Sequence, residues 1–130
     1  MTIRPNAEQF MALAQHERDG EVVMLNLLKF HGDGGAASYG RYGDAAVQMI
    51  EDRGGRVVWM GRAEQVLIGD VDANDWDAVA LVSYPSRQAF IEMVSTPEYQ
   101  EAHTHREQGL ERTVVIACEP RAGVEAEVTS

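Results

Sequence analysis

Near the end of the chain, one short segment carries the side chains best suited to chemistry. It contains Tyr99, Ala102, His103 and Arg106. Their spacing of i, i+3, i+4 and i+7 places them on one face of a helix. An imidazole can move a proton near neutral pH, and a guanidinium can hold a carboxylate through two parallel hydrogen bonds. If the protein is an enzyme, we expect His103 to be the proton shuttle and Arg106, or Arg87 upstream, to be the anion clamp.

A structural role for His103 is the alternative, because a histidine on a helix face can simply pack or form a local hydrogen bond. His105, two residues later, projects to the opposite side of the same helix. This spacing excludes a helical His-x-His chelate, so no metal site is expected here.

The run VVMLNLLKF, residues 22–30, is typical of a buried strand but contains Asn26 and Lys29. A polar group in the wall of an apolar pocket can orient a ligand, which makes Asn26 a candidate catalytic residue that polarises a bound molecule. Asn26 could equally bond a neighbouring backbone group. For Lys29 we expect the ammonium to extend to solvent at the end of the strand.

Large aromatic side chains with polar tips are suited to holding a planar ligand. The predicted ligand-binding set is Tyr39, Tyr42, Trp59, Tyr84, Arg87 and Arg106. The aromatic members are also ordinary core material. Tyr39 and Tyr42 fit the inner face of a helix, and Trp59 alternates with Val57 along a strand.

Two strings resemble binding motifs but lack essential positions. Gly32-x-Gly34-x-x-Ala37 has no acidic residue at the end of the following strand, so a flexible turn explains it better than a dinucleotide site. Asp70-x-Asp72-x-Asn74 has Asp75 where a calcium loop needs glycine, and it predicts a solvated hairpin loop.

The elements that must position these residues follow from periodicity and capping signals. We predict a leading helix over 6–16, a strand over 22–30, a helix ending at Gly54, a strand over 55–69, a strand over 76–84, a helix from Ser86, a helix from Thr96 to Gly109 and a strand over 113–119. After the leading helix the order is β-α-β-β-α-β. This order predicts an α+β, ferredoxin-like fold, with two helices on one face of an antiparallel sheet.

Composition limits the partners. The 130 residues suit a single domain over 1–130, with its core at 22–119 and a mobile tail or docking arm at 120–130. A net charge of -10 repels phosphate backbones, so no nucleic-acid partner is expected. No apolar run approaches the roughly 18 residues of a membrane span, which argues against a membrane partner. The single Cys118 and the absence of a basic and apolar leader predict a cytoplasmic location.

Both faces of the strand at 22–30 are mainly apolar, since residues 22, 24, 26, 28 and 30 alternate with residues 23, 25, 27 and 29. Helices within one subunit can cover only one face of the sheet. We therefore expect a homodimer in which the other face meets a second copy.

Three segments resemble the family known as domain of unknown function 1330, within the dimeric α/β-barrel superfamily. They are GGRVVWMG, WDAVALVSYPSRQAF and STPEYQEAHTHR, and the likeness spans roughly residues 22–119. Its most specific pieces are the tripeptides GGR at 54–56, YPS at 84–86 and PEY at 97–99. The resemblance implies ferredoxin-like subunits that pair as a dimeric α/β barrel, with a pocket between each sheet and its helices.

Relatives in that superfamily include cofactor-free monooxygenases, lactone isomerases, haem-degrading enzymes and ligand-sensing domains, so the fold alone does not select an activity. We expect a homodimer that binds a small planar or carboxylate-bearing molecule and needs no cofactor. An enzyme of the monooxygenase or isomerase type is one form that this function can take. A non-catalytic sensor or structural dimer is an alternative.

Haem is the alternative cofactor that the resemblance implies. Haem-degrading members carry an Asn on the first strand, a Trp at the end of the third and an axial His in a segment similar to EYQEAH. Asn26 and His103 occupy matching places, whereas Tyr84 stands at the Trp position. That departure argues against haem breakdown but leaves haem binding through His103 open.

Overall fold

Four strands form one antiparallel sheet in the order β2-β3-β1-β4. The computed structural model describes residues 4–121. The strands are β1 Val22–Phe30, β2 Arg56–Arg62, β3 Ala78–Tyr84 and β4 Leu110–Cys118; the helices are α1 Ala7–Ala14, α2 Gly35–Asp52, α3 Arg87–Val94 and α4 Pro97–Gly109. With β1 and β3 at the centre, this is the predicted α+β, ferredoxin-like arrangement preceded by an extra helix.

Local capping chemistry places the helix starts where the sequence predicts them. The Asn6 side-chain oxygen accepts a hydrogen bond from the Gln9 backbone N–H, and the Gln9 side-chain oxygen accepts one from the Asn6 backbone N–H. The Ser86 hydroxyl accepts from the Ala89 backbone N–H at 3.0 Å. The Thr96 hydroxyl caps α4, which has proline at its start and ends at Gly109.

The inner face of the sheet, which the helices cover, holds the main core. Val22 and Met24 of β1 are buried in one cluster with Ala46 of α2, Met93 of α3 and Tyr99 of α4. Burial of this face orients α2 and α4 so that their inward side chains meet above the central strands.

The outer face of the sheet carries apolar side chains without a cover from its own chain. Paired residues of an antiparallel sheet share a face. The register therefore assigns Val23, Leu25, Leu27, Trp59, Val79, Leu81, Val114 and Ile116 to this outer face. Trp59 is 53% exposed and Ile116 47% exposed.

The predicted strand over 55–69 is too long. β2 ends at Arg62, which pairs with Ala78, the first residue of β3. Leu67 and Ile68 instead lie on an exposed loop, 84% and 89% accessible to solvent. Their β-branched and apolar character favours a strand only where a neighbouring strand is available to pair with it.

Two glycines allow α2 and α4 to approach closely. A Cβ built on Gly109 would lie 2.6 Å from the Gly35 carbonyl oxygen and 2.8 Å from the Tyr39 backbone nitrogen. Any larger residue must therefore push the helices apart. This contact fixes the distance between α2 and α4 next to Tyr39. The predicted tail extends beyond the described residues from position 122 onward.

Candidate functional site

A chain of aromatic rings runs between the helices and the sheet. Phe30 packs on Tyr39 with ring centroids 5.6 Å apart, and Tyr39 packs on Tyr42 at 5.3 Å. Tyr42 meets the edge of Tyr99 at 5.9 Å, and Tyr99 lies 5.7 Å from the His103 ring. We call these five residues the aromatic chain. It links the end of β1 to α2 and α4.

Arg106 lies beside the middle of the aromatic chain. Its guanidinium carbon is 5.8 Å from the centroid of the Tyr42 ring. The residue is buried, with 6% of its surface exposed. A guanidinium cannot lose its proton in a protein, so a full positive charge is held among neutral rings.

The hydroxyl groups of the three tyrosines in the aromatic chain are protonated and therefore uncharged. The Tyr42 and Tyr99 hydroxyls lie 2.8 Å apart and share a hydrogen bond. Burial is the main reason that the pKa of Tyr42 is raised well above its usual value, and burial also raises the pKa of Tyr39 and Tyr99. At neutral pH all three hydroxyls therefore keep their protons and can donate them in hydrogen bonds.

His103 closes the other end of the aromatic chain as a neutral imidazole. Burial, together with the nearby charges of Arg106 and Arg4, lowers its pKa to about 4. Its Nδ1 is buried without a hydrogen-bond partner and lies 3.8 Å from Glu107 Oε1. Glu107 in turn accepts a 2.7 Å hydrogen bond from Arg4. At pH 7 the His103 ring is therefore neutral, with one N–H donor and one nitrogen that can accept a proton.

An open cleft of about 550 Å³ begins where the aromatic chain begins. Its lining consists of Phe30, Ala36, Met60, Gly61, Arg62, Ala63, Asp77 and Ala78. Phe30 belongs to both features, since one part of it faces the cleft and its ring packs on Tyr39. Asp77 at the rim accepts a hydrogen bond from the Phe30 backbone N–H at 2.9 Å and lies 3.6 Å from Lys29. The cleft is thus a route from solvent to the first ring.

Asn26 lies on the inner face of the sheet, in register between Ala80 and Val115. Its amide donates to the carbonyl oxygens of Met24 at 3.1 Å and of Ala80 at 3.4 Å. The structural interpretation, that Asn26 bonds neighbouring backbone, is therefore confirmed. A role for Asn26 in catalysis stays a prediction.

Trp59 lies on the opposite side of the sheet from the aromatic chain, and its predicted role in ligand binding stays a prediction. A bulge between Val57 and Trp59 breaks their alternation, so Val57 pairs with Val82 on the inner face while Trp59 pairs with Leu81 on the outer face. The indole lies over Gly61, where an added Cβ would come within 2.5 Å of the ring. Trp59 is therefore separated from the aromatic chain by the sheet.

Tyr84 ends β3 and Arg87 begins α3, and only Tyr84 belongs to the core cluster that contains Tyr99. Arg87 is buried and donates to the Arg18 carbonyl oxygen at 3.2 Å, so it supports the loop before β1. Between the two arginines predicted as an anion clamp, the structure brings only Arg106 to the aromatic chain. Tyr84 is buried against Phe90 at 5.1 Å, and burial raises its pKa.

Neither haem nor a metal ion fits the residues around His103. The imidazole is packed on Tyr99 beside the Arg4–Glu107 pair, and it lines neither the cleft beside Phe30 nor the smaller hollow beside Met49. No cluster of three potential metal ligands occurs in that part of the chain. Asp70, in the string that resembles a calcium loop, stabilises a turn instead, because Asp70 Oδ1 accepts a hydrogen bond from the Asp72 backbone N–H at 2.9 Å.

No helix within residues 4–121 is long and apolar enough to cross a bilayer.

Sequence reasoning missed three residues of this region, Phe30, Met60 and Asp77, and named Tyr99 only as part of the helical stripe of His103. Tyr99 is on the same helical stripe as His103, so its spacing was a sufficient signal. The others come from three separate strand ends and line one cleft only after the sheet has formed. No local pattern joins them.

Comparison with known proteins agrees with this architecture. The family model described as "Domain of unknown function (DUF1330)" matches residues 34–119. The RPA0582 protein of unknown function from Rhodopseudomonas palustris is 36% identical, with a TM-score of 0.83 over 93% of this chain and 98% of that one. No curated protein matches the sequence.

Two more distant structures share the fold alone. A dimeric ferredoxin-like protein of unknown function from Jannaschia sp. CCS1 is 12% identical, with a TM-score of 0.60 over 78% of this chain and all 100% of that one. SnoaB, a cofactor-independent oxygenase from Streptomyces nogalater, is 15% identical, with a TM-score of 0.57 over 82% of this chain and 98% of that one. The chain belongs to the DUF1330 family, and its structural neighbours include ferredoxin-like and oxygenase proteins.

Proposed function

We propose that this protein is a homodimeric α/β-barrel protein whose subunits each bind a small planar molecule that carries a carboxylate. One observation carries the proposal: the buried Arg106 guanidinium lies against an aromatic chain whose first ring forms the wall of an open cleft. The bound molecule lies between α2, α4 and the inner face of the sheet.

The charge of the ligand follows from Arg106. A guanidinium presents five N–H donors in a fixed fork that matches a carboxylate. The Tyr39, Tyr42 and Tyr99 hydroxyls near it are neutral, because burial raises their pKa values. A carboxylate that reaches this place meets a cation and hydroxyl donors in a partly desolvated setting, where charge-assisted hydrogen bonds are strong.

The shape of the ligand follows from the rings. Offset and edge contacts between aromatic groups at about 5–6 Å are favourable by roughly 0.5–1.5 kcal/mol beyond area burial. Phe30, Tyr39 and Tyr42 present such surfaces in sequence from the cleft inward. A flat molecule can therefore pack against one ring after another as it moves inward from the cleft.

The outer face supports the homodimer. A contiguous apolar surface that includes Leu25, Leu81, Ile116 and the half-exposed Trp59 is typical of an interface rather than of a free surface. A second copy has the same surface and can bury it face to face. The dimeric description of the Jannaschia protein, which shares the fold, is consistent with this assembly.

Chemistry on the bound molecule would need no cofactor on this proposal. His103, neutral because its pKa is lowered to about 4, is the group that accepts a proton, and the Asn26 amide is the polarising donor. Turnover of a substrate that falls by a factor of about 100 in His103→Ala, with binding retained, would support the first role. Unchanged turnover in that variant would remove it.

A panel of small aryl carboxylates and their matched neutral amides tests the binding proposal. Ligand-detected NMR should show carboxylates, but not amides, binding to the wild-type protein, and binding should fall by roughly 10- to 100-fold in Arg106→Met. Arg53→Met is the matched control, because Arg53 pairs with Glu92 on the helix surface. Equal binding of acids and amides, or unchanged binding in Arg106→Met, would contradict the proposal.

A structural dimer without a ligand is the second candidate. It is favoured by the packing of Tyr42, Tyr99 and His103. None of these three residues lines the cleft beside Phe30 or the smaller hollow beside Met49. On this account no member of the panel binds, and Arg106→Met changes only stability.

A further inference from the structure

Arg87, the first residue of α3, is a buried cation that pairs with no carboxylate within residues 4–121. Only 8% of its surface is exposed, and its single hydrogen bond there runs from Nη1 to the Arg18 carbonyl oxygen at 3.2 Å. Its Nε is buried without an acceptor, whereas Nη2, which also lacks one, is not fully buried. A buried charge normally has a partner of opposite charge, and a buried donor has an acceptor. The edge of the Arg87 guanidinium formed by Nε and Nη2 lacks both.

Arg18 contributes a second donor without a partner. Its Nη1 is buried and has no acceptor among the described residues. The guanidinium folds back over the loop, since a Cβ built on Gly20 would lie 3.4 Å from Nη2 of Arg18. Arg87 is bonded to the Arg18 backbone, so both guanidinium groups lie against the short segment at 18–20. The Arg18 side chain is 29% exposed, which leaves an approach from solvent.

The acidic side chains beside this segment are bonded to other groups. Glu21 accepts a 2.7 Å hydrogen bond from the Ser83 hydroxyl. Glu119 lies 3.4 Å from Arg18 Nε and 3.5 Å from Arg121 Nη2. Neither carboxylate pairs with Arg87, so the described part of the chain leaves its charge uncompensated.

We propose that the Nε–Nη2 edge of Arg87, together with Nη1 of Arg18, binds the carboxylate group of a small molecule. We call this place the Arg87 site; it is separate from the aromatic chain and does not depend on the function proposed above. A carboxylate accepts two parallel, charge-assisted hydrogen bonds from such an edge, and these are about twice as strong as neutral ones. No aromatic ring within residues 4–121 stacks on either guanidinium, so the site selects charge and not a flat shape.

Binding of an anion at the Arg87 site should also stabilise the fold. A buried charge that lacks its partner is strongly destabilising, and the free protein carries this penalty at Arg87. A carboxylate that binds only the folded chain relieves it, and stability then rises with the logarithm of the carboxylate concentration. Arg87→Met removes the charge together with its penalty, so the melting temperature of this variant should not respond to acetate.

The arginine side-chain NMR signals of the full-length protein, labelled with ¹⁵N, test the site. Acetate is the probe, acetamide is the neutral comparison, and chloride at equal ionic strength controls for screening. The Nε–Hε signal of Arg87, identified by its loss in Arg87→Lys, should shift saturably with acetate and with neither control. Arg18→Gln should weaken acetate binding by roughly three- to tenfold. The Arg53 signal is the internal control and should stay in place, because Arg53 already pairs with Glu92 at 3.1 Å.

Several results would overturn the Arg87 site. An Arg87 signal that moves equally with acetate and chloride would show charge screening only, and one that stays in place would show that Nε already has an acceptor such as an ordered water. Unchanged acetate binding in Arg18→Gln would contradict the pairing of the two arginines. If circular dichroism shows that Arg87→Lys is unfolded, the Arg87 signal is assigned through the backbone resonances of the same residue instead. The Arg106→Met test of the proposed function is separate, so either proposal can fail without the other.

Discussion

The two faces of the sheet are formed by the same four strands but differ in what covers them and in the side chains they carry. On β1, Met24 and Leu28 are buried under helices of their own chain, whereas Leu25 and Leu27 lie on the face that no described helix covers. The inner face also holds polar groups, above all Arg106 and the tyrosine hydroxyls. The outer face is apolar in its middle and has polar side chains only toward the strand ends, at Lys29, Arg112, Ser83 and Arg56.

This difference shows where specificity can be placed. A charge is tolerated in a core only where surrounding groups bond or stack with it, and the helices of one chain can supply those groups in fixed positions. A surface that meets a second copy needs only matching shape and apolar area. On the function proposed above, ligand binding would belong to the inner face and assembly to the outer face.

The largest expected effect comes from placing a charge on the outer face. Ile116→Asp puts a carboxylate into the proposed dimer interface, where it cannot be solvated, so light scattering should report the mass of one chain instead of two. Val47→Asp is the control, because Val47 on α2 is 40% exposed, similar to the 47% of Ile116, but lies among the helices. A wild-type protein that is already a monomer would refute the assignment of this face.

Replacing each of two neighbouring leucines of β1 by alanine should have a different effect on each face of the sheet. Leu28 is fully buried in the inner face, so Leu28→Ala should lower the free energy of unfolding by about 2–5 kcal/mol and leave a dimer. Leu27→Ala should instead weaken the dimer, measured as a higher dissociation constant in sedimentation equilibrium. Identical behaviour of the two variants would remove the distinction between the faces.

The glycine contact under the aromatic chain gives the next effect. Gly109→Ala forces a methyl group against the Gly35 carbonyl and the Tyr39 backbone, and it should cost about 1–3 kcal/mol in urea denaturation. Gly43→Ala on the same helix pair meets nothing within 4 Å and should stabilise by up to about 1 kcal/mol through its helix propensity. A neutral Gly109→Ala would show that the helices are not held at this distance.

The smallest effect is a pH dependence at His103. Its folded pKa of about 4 lies below the ordinary value of 6.5, so the unfolded chain takes up the proton first as the pH falls. Stability from the neutral imidazole is complete above about pH 6.5 and is lost between there and pH 4. Arg106 and Arg4 disfavour the protonated form, and Glu107 favours it.

His103→Gln should therefore lose less stability than wild type between pH 6.5 and 5, measured from urea midpoints at each pH. That window lies above the region where Glu107 is protonated, since its hydrogen bond with Arg4 lowers its pKa. Parallel curves for the two proteins would show that His103 is already hydrated in the folded state.

Much of the fold could be predicted because its signals are local. Strand β1 has the predicted bounds, the caps at Asn6, Ser86 and Thr96 start helices, and Lys29 extends to Asp75 and Asp77 at 3.6 Å. These features depend on periodicity and on side chains within a few residues of each other.

The site was less predictable because it depends on contacts between distant elements. The bulge that turns Trp59 toward the outer face arises from the pairing of β2 with β3. No residue within β2 predicts this bulge from the sequence. Arg87 and Arg106 look equivalent in the sequence, but Arg87 donates a hydrogen bond to the Arg18 carbonyl oxygen whereas Arg106 lies beside the Tyr42 ring. Only the packed structure distinguishes the two.

The side-chain NMR signal of Arg106 tests the central claim most directly. In protein labelled with ¹⁵N, the arginine Nε–Hε resonances are recorded during titration with benzoate and with benzamide, and the Arg106 signal is identified by its loss in Arg106→Lys. The account predicts a saturable shift of the Arg106 signal with benzoate and none with benzamide. A signal that stays in place while benzoate binds, or that moves equally with both compounds, would contradict the claim that Arg106 anchors a carboxylate.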